Sequence, residues 1–123
     1  AGYEIAELPN EKIMRDFVAH HKDKLVVSVI HSGGYARLSD DPQTGCFVST
    51  LNLQNYGDPA MVRFCLVPGT HAPKLIDEQN IITFPTALMY YHGECFERVI
   101  GARGRELSIK CLFKLRTEGH PIF

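Results

Sequence analysis

The sequence predicts an α/β domain: a mixed central sheet with a parallel part, a C-terminal antiparallel hairpin, and helices on both faces. Three observations predict it. Leu25 to Ile30 and Met61 to Val67 are near-continuous apolar runs, as expected of strands covered on both sides in a parallel sheet. Segments with helical apolar spacing separate such runs from their neighbours. Thr86 to Tyr91 and Glu94 to Ile100 flank His92-Gly93, a two-residue turn whose second central glycine marks a tight hairpin.

Each element has its own warrant. Tyr3 to Leu8 alternates loosely and reads as a short strand. Pro9-Asn10 opens a helix with Asn10 as N-cap, and Ile13, Met14, Phe17 and Val18 share one face of it. The Leu25 strand follows. His31 to Asp58 is irregular, with Gly33-Gly34, Asp40-Asp41-Pro42 and Gly45 as turn residues. A helix is expected only from about Thr44 to Tyr56, ended by Gly57-Asp58-Pro59. After the Met61 strand, Pro73 suits the first turn of a short helix to Gln79. The hairpin comes next, and Gly101 and Gly104 break the chain before a last helix, Arg105 to Arg116. Its inner stripe is Leu107, Cys111, Leu112 and Leu115. The order is β-α-β-α-β-α-β-β-α. With 123 residues, 45% of them apolar, the chain reads as one domain, 1–123, with 117–123 as a C-terminal tail.

Composition excludes several function classes. The net charge is −1 and no basic run exists; the densest cluster, Arg98 to Arg105, is interrupted by Gly and Ala, so no nucleic-acid partner is expected. No stretch approaches the roughly 20 apolar residues of a membrane span, and no membrane partner is expected. No targeting pattern is visible, although the start at Ala1-Gly2 suits a trimmed chain. Cys46, Cys65, Cys95 and Cys111 show neither C-x-x-C nor zinc-ligand spacing. Cys65 and Cys111 read as core thiols and Cys95 as a surface or half-buried one. Free thiols suit a reducing compartment, so a cytoplasmic location is the default expectation.

The C-terminal half carries a family resemblance. Ile82-Thr-Phe-Pro-Thr-Ala-Leu-Met-Tyr-Tyr-His-Gly-Glu, followed by Arg98-Val-Ile-Gly-Ala102, resembles thioredoxin: an apolar residue, Pro-Thr, a strand, a Gly-Glu hairpin, and a Val-Gly-Ala-like exit into the last helix. The first half fits in pattern, and the resemblance covers nearly all of the chain apart from the stretch around Leu38 to Asp58. The resemblance implies a thioredoxin-like fold with a cis peptide bond at Phe84-Pro85. It also places the family's C-x-x-C window on Gly34-Tyr35-Ala36-Arg37, with Gly33 at the usual aromatic position before it. Thiol exchange needs a low-pKa thiolate and a second thiol to resolve the mixed disulfide. Neither position holds sulfur. The family's buried Asp relay matches Ser28 and its Lys partner matches Leu66, so these are missing too.

What the resemblance then implies is a redox-inactive member, not an enzyme. It serves as a scaffold that binds a protein or peptide partner, alone or within a larger assembly or longer chain. The expected binding residues are Gly33, Gly34, Tyr35, Ala36, Arg37, Phe84 and Pro85, because the family's peptide groove works through main-chain hydrogen bonds and needs no cysteine. Catalytic residues and cofactors are expected to be none. Two alternatives stay open. Cys46, the thiol nearest the altered window, would serve a one-cysteine or glutathione-linked oxidoreductase, though packing beside Phe47 is the commoner fate of such a residue. His31 and His71 follow the ends of neighbouring strands and are weak metal candidates, against two loop histidines bonded to backbone or water.

Overall fold

The computed structural model describes residues 2–32 and 54–120. The elements are β1 (Ile5–Glu7), α1 (Glu11–His20), β2 (Leu25–His31), β3 (Val62–Pro68), a single 3-10 turn at Gly69–His71, α2 (Pro73–Gln79), β4 (Thr86–Tyr91), β5 (Glu94–Ile100) and α3 (Gly104–Thr117). They form one five-stranded sheet in the order β1-β3-β2-β4-β5. β1, β3 and β2 run parallel, while β4 is antiparallel to β2 and β5 to β4.

All seven residues of β2 are buried, because β2 is the central strand and both its faces are covered. Alternation then divides the core. Val27, Val29, Phe64, Leu66 and Met89 meet Leu107, Cys111 and Leu115 of α3. Val26, Ile30, Cys65, Val67 and Leu88 meet Met14 and Val18 of α1 and Leu75 of α2 on the opposite face. Helices therefore cover both sides of the sheet.

Helix ends follow the chemistry of their first turns. Asn10 Oδ1 accepts the Ile13 N–H at 2.9 Å and caps α1. α2 has no cap of its own. Instead Glu11, from the first turn of α1, accepts the N–H groups of Lys74 (3.1 Å) and Leu75 (3.0 Å). One carboxylate thus satisfies two orphan donors of the neighbouring helix and ties the two helices together.

Five elements differ from the sequence expectation, and β2 does so by one residue, running on to His31. β1 spans three residues rather than Tyr3 to Leu8, because the Tyr3 ring turns into the core: its hydroxyl donates to the Gly57 carbonyl (2.6 Å) and accepts the Tyr56 N–H (2.8 Å). The expected helix from Thr44 to Tyr56 lies mostly outside the described residues, and Asn55 and Tyr56 are not helical. β3 runs one residue later, Val62–Pro68, and α3 is one residue longer at each end. Thr117 accordingly belongs to the helix rather than to the tail. His120 then folds back, its N–H on the Leu115 carbonyl (2.8 Å) and its Nε2 beside the Tyr91 hydroxyl (2.8 Å). Among the described residues, no helix is long and apolar enough to cross a membrane.

Candidate functional site

In sheets with a parallel part, ligands gather at the carboxyl ends of the strands. Here that edge holds the end of β2 at His31, the end of β3 at Pro68, and the loop from Ile81 to Pro85. A cavity of about 320 Å³ opens beside it, lined by Glu7, Pro9, His31, Leu66 and Pro68 among others.

The loop is pinned from both sides. Thr86 Oγ1 donates to the Thr83 carbonyl (2.6 Å), and the Gly101 N–H donates to the Pro85 carbonyl (2.8 Å). The Phe84-Pro85 peptide is cis, as expected. Pro85 is buried, while Phe84 on its outer side is 39% exposed. The Phe84 ring rests on Gly69. A Cβ at Gly69 would sit 2.8 Å from Phe84 Cε1 and 3.2 Å from the His31 carbonyl oxygen, so only glycine lets the ring and the β2 backbone approach this closely. Phe84 therefore both packs inward and presents a surface. Two further exposed apolar side chains come from the same loop and the adjoining strand end: Ile82 (89% exposed), two residues before Phe84, and Ile100 (52% exposed). Ile100 is placed there by β4–β5 pairing, opposite Thr86.

The two histidines do different things. His31 is buried, and its Nδ1 lies 2.8 Å from the Ser32 carbonyl. A carbonyl only accepts, so Nδ1 carries the hydrogen. His71 Nδ1 lies 3.0 Å from the Pro9 carbonyl, on the surface. Among the described residues, no group of three His, Cys, Asp or Glu side chains is placed to hold a metal ion.

Three cysteines are described. Cys65 and Cys111 are buried and unpaired, as expected. Burial pushes the Cys65 thiol up to about 12, against a smaller opposite effect from Ser28 Oγ, 3.2 Å from its sulfur. Burial alone raises the Cys111 thiol further. Cys95 is exposed on β5, yet its sulfur turns against the strand, toward the Glu97 carbonyl (3.7 Å), and partial burial raises it above the ordinary thiol range. None of these three has the lowered pKa that a reactive thiol needs. Cys46 and the Gly33, Gly34, Tyr35, Ala36, Arg37 segment lie outside the described residues.

One expectation is corrected. Ser28 and Leu66 were matched to a relay pair that shares a buried site, but they lie on opposite faces of the sheet. The β2–β3 register sets Ser28 opposite Cys65 and Val29 opposite Leu66. Ser28 meets Cys65 in the layer under α1 and α2, whereas Leu66 packs under α3. The residue that shares Leu66's face is Val29, which is apolar, and a one-residue shift of the window still brings no cysteine into it.

Solved structures with this arrangement are numerous. A thioredoxin from Malassezia sympodialis superposes with a TM-score of 0.68 at 14% identity, over 89% of this chain and 90% of that one. The fold is that of thioredoxin. The thioredoxin pre-protein of Schistosoma mansoni superposes with a TM-score of 0.64 at 20% identity, covering 88% of this chain and 95% of its own. The thioredoxin of Trypanosoma brucei brucei gives 0.61 at 17% identity, over 95% and 96% of the two chains. No protein-family model and no curated protein sequence matches the chain. The likeness carries the thioredoxin fold, and chemistry has to be argued from the side chains.

Ile82, Ile100 and Gly69 were not among the sequence candidates. Ile82 and Ile100 lie within the quoted motif, but only exposure separates them from core residues. Gly69 carries no signal without knowledge of where Phe84 goes.

Proposed function

We propose that this chain is a thioredoxin-fold binding module that seats an extended protein or peptide segment beside Phe84 and Pro85 and does not exchange thiols. The observation that carries the reading is the trio of exposed apolar side chains, Ile82 and Phe84 on the loop that ends in the buried Pro85 and Ile100 on the strand end paired with Thr86, at the carboxyl edge of the parallel strands. Exposed apolar groups gathered at one place favour a partner that covers them, and aromatic groups bury large area for few rotors. The segment Gly33 to Arg37 belongs to the same site by resemblance. It contains no cysteine, and the described thiols are all shifted away from the thiolate form.

The test has two arms. In an insulin-reduction assay with excess dithiothreitol, the protein is expected to give the same turbidity rate as dithiothreitol alone. Activity that disappears in Cys46→Ser would overturn the reading and make the chain an enzyme with a relocated nucleophile. In the binding arm, partners retained by the wild type are expected to be lost from Phe84→Ala and from Tyr35→Ala/Arg37→Ala. Retention by all variants would move the binding surface elsewhere.

A further inference from the structure

A cavity of about 280 Å³ lies between β5 and the first turns of α3, lined by Arg98, Ile100, Arg103, Glu106 and Lys110. It adjoins the groove just described, because Ile100 belongs to both. The Gly101 N–H that closes this end of β5 is bonded to the Pro85 carbonyl. We infer that this cavity receives a carboxylate side chain of the same extended peptide that lies across Phe84 and Pro85. The inference rests on the binding-module reading and names the chemistry of its partner.

Charge complementarity is the argument. Three cations line the cavity with one carboxylate. Glu106 is divided between Arg103 (3.7 Å) and Lys110 (3.4 Å), both beyond good hydrogen-bond length. Lys110 also reaches Glu97 at 3.6 Å and donates to the Arg98 carbonyl at 3.2 Å. Arg98 Nη2 donates to Gln79 Oε1 at 2.9 Å, a neutral acceptor. Among the described residues, no carboxylate lies within ion-pair distance of Arg98. A guest carboxylate would therefore meet two guanidinium groups with donors to spare, in the fork geometry that suits bidentate contact.

The surroundings favour a peptide carboxylate over other anions. The chain is slightly acidic overall, which does not suit a nucleic-acid backbone. The adjoining surface of Ile82, Phe84 and Ile100 requires apolar side chains from the same ligand. The contact is made by side chains rather than by adding a sixth strand. At Arg98 the outer edge of β5 is already closed, its N–H on Glu97 Oε1 (2.9 Å) and its carbonyl on Lys110.

The experiment uses a phage-displayed library of random dodecapeptides, selected on the whole chain. The strongest peptide is then made with a fluorescein label for anisotropy. Selected sequences are expected to carry Asp or Glu at a constant distance from a pair of large apolar residues. Replacing that acid by its amide is expected to weaken binding about fivefold. Arg98→Gln/Arg103→Gln should show a similar loss, with no further loss for the amide peptide, and the difference should shrink at about 0.5 M NaCl. Ile82→Ser should weaken both peptides equally. Binding that depends on Ile82 but shows no acid preference, and no response to Arg98→Gln/Arg103→Gln, overturns this inference and leaves the groove reading standing. Binding indifferent to Ile82→Ser and Phe84→Ala, or no enrichment at all, overturns both. Full displacement by inorganic phosphate, with acids at no fixed spacing, marks a simple anion site and also overturns the inference.

Discussion

Gly69→Ala tests the geometry of the site at one atom. The added Cβ would lie 2.8 Å from Phe84 Cε1 and 3.2 Å from the His31 carbonyl oxygen, whereas carbon pairs rest at about 3.5–4.0 Å. Either the ring moves by most of an ångström or the end of β2 does. Overpacking of this kind costs about 1–3 kcal/mol. Phe84 is partly exposed and can swing outward, which favours the lower end. Alanine also returns about 0.4–1 kcal/mol by restricting the unfolded chain. The net expectation is a loss of at most about 0.6 kcal/mol, near 2 °C in Tm for a chain of this length. In a Phe84→Ala background the clash with the ring is gone and only the 3.2 Å approach to the His31 carbonyl oxygen remains, so the same substitution should be close to neutral or stabilising, giving a coupling of about 1 kcal/mol. Urea titration of the four proteins by far-UV circular dichroism measures it; the chain has no Trp to report by fluorescence. Equal costs in the two backgrounds, within about 0.4 kcal/mol, would mean that Phe84 does not rest on Gly69, and the exposed trio would lose its geometric basis.

Two more predictions concern the scaffold. Gly57 has φ +103, and a Cβ there would run into Leu115 Cδ1 in the core. Gly57→Ala should therefore cost about 3 kcal/mol, combining left-handed strain with overpacking; thermal melting checks it, and a loss below about 1 kcal/mol would contradict the packing. The buried thiols give an alkaline signature. Because burial raises Cys65 to about 12 and raises Cys111 as well, the native state holds these protons while the unfolded chain releases them above about pH 8.5. Their contribution is complete below that pH and is lost as pH rises toward the folded values, at up to about 1.4 kcal/mol per pH unit for each thiol. Cys111→Ala should flatten the fall of stability between about pH 9 and 10.5, and Ellman's reagent should label Cys65 and Cys111 only after unfolding. Rapid native labelling, or an unchanged slope in Cys111→Ala, would refute the assignment.

What was legible in the sequence was what local chemistry decides. β4, β5 and α2 fall on the expected residues because a His92-Gly93 turn with both φ values positive and a proline at the helix start are short-range signals. β1 was overestimated because the fate of Tyr3 is settled 53 and 54 residues away, at Tyr56 and Gly57. The error over Ser28 and Leu66 has the same origin. Counting along each strand gives plausible positions, but a shared face depends on the register between strands, and one step reverses it.

The candidate site repeats this division at closer range. Phe84 and Pro85 are visible as a motif because they are adjacent in sequence. Their seat, Gly69, comes from the turn after β3, and their apolar neighbour Ile100 comes from the far end of the hairpin. Arg98, Arg103 and Lys110 look unrelated in the sequence, two of them interrupted by Gly and Ala and the third seven residues further on. They converge because β5 runs antiparallel to β4 and α3 returns over the sheet, so a strand end and a helix start meet at one corner. Charge pattern along the chain therefore understates the local field. A chain with net charge −1 still lines one cavity beside its apolar groove with three cations, of which Arg103 and Lys110 share Glu106, Lys110 also reaches Glu97, and Arg98 faces the neutral Gln79, and that local imbalance, rather than the average, is what the proposed partner would read.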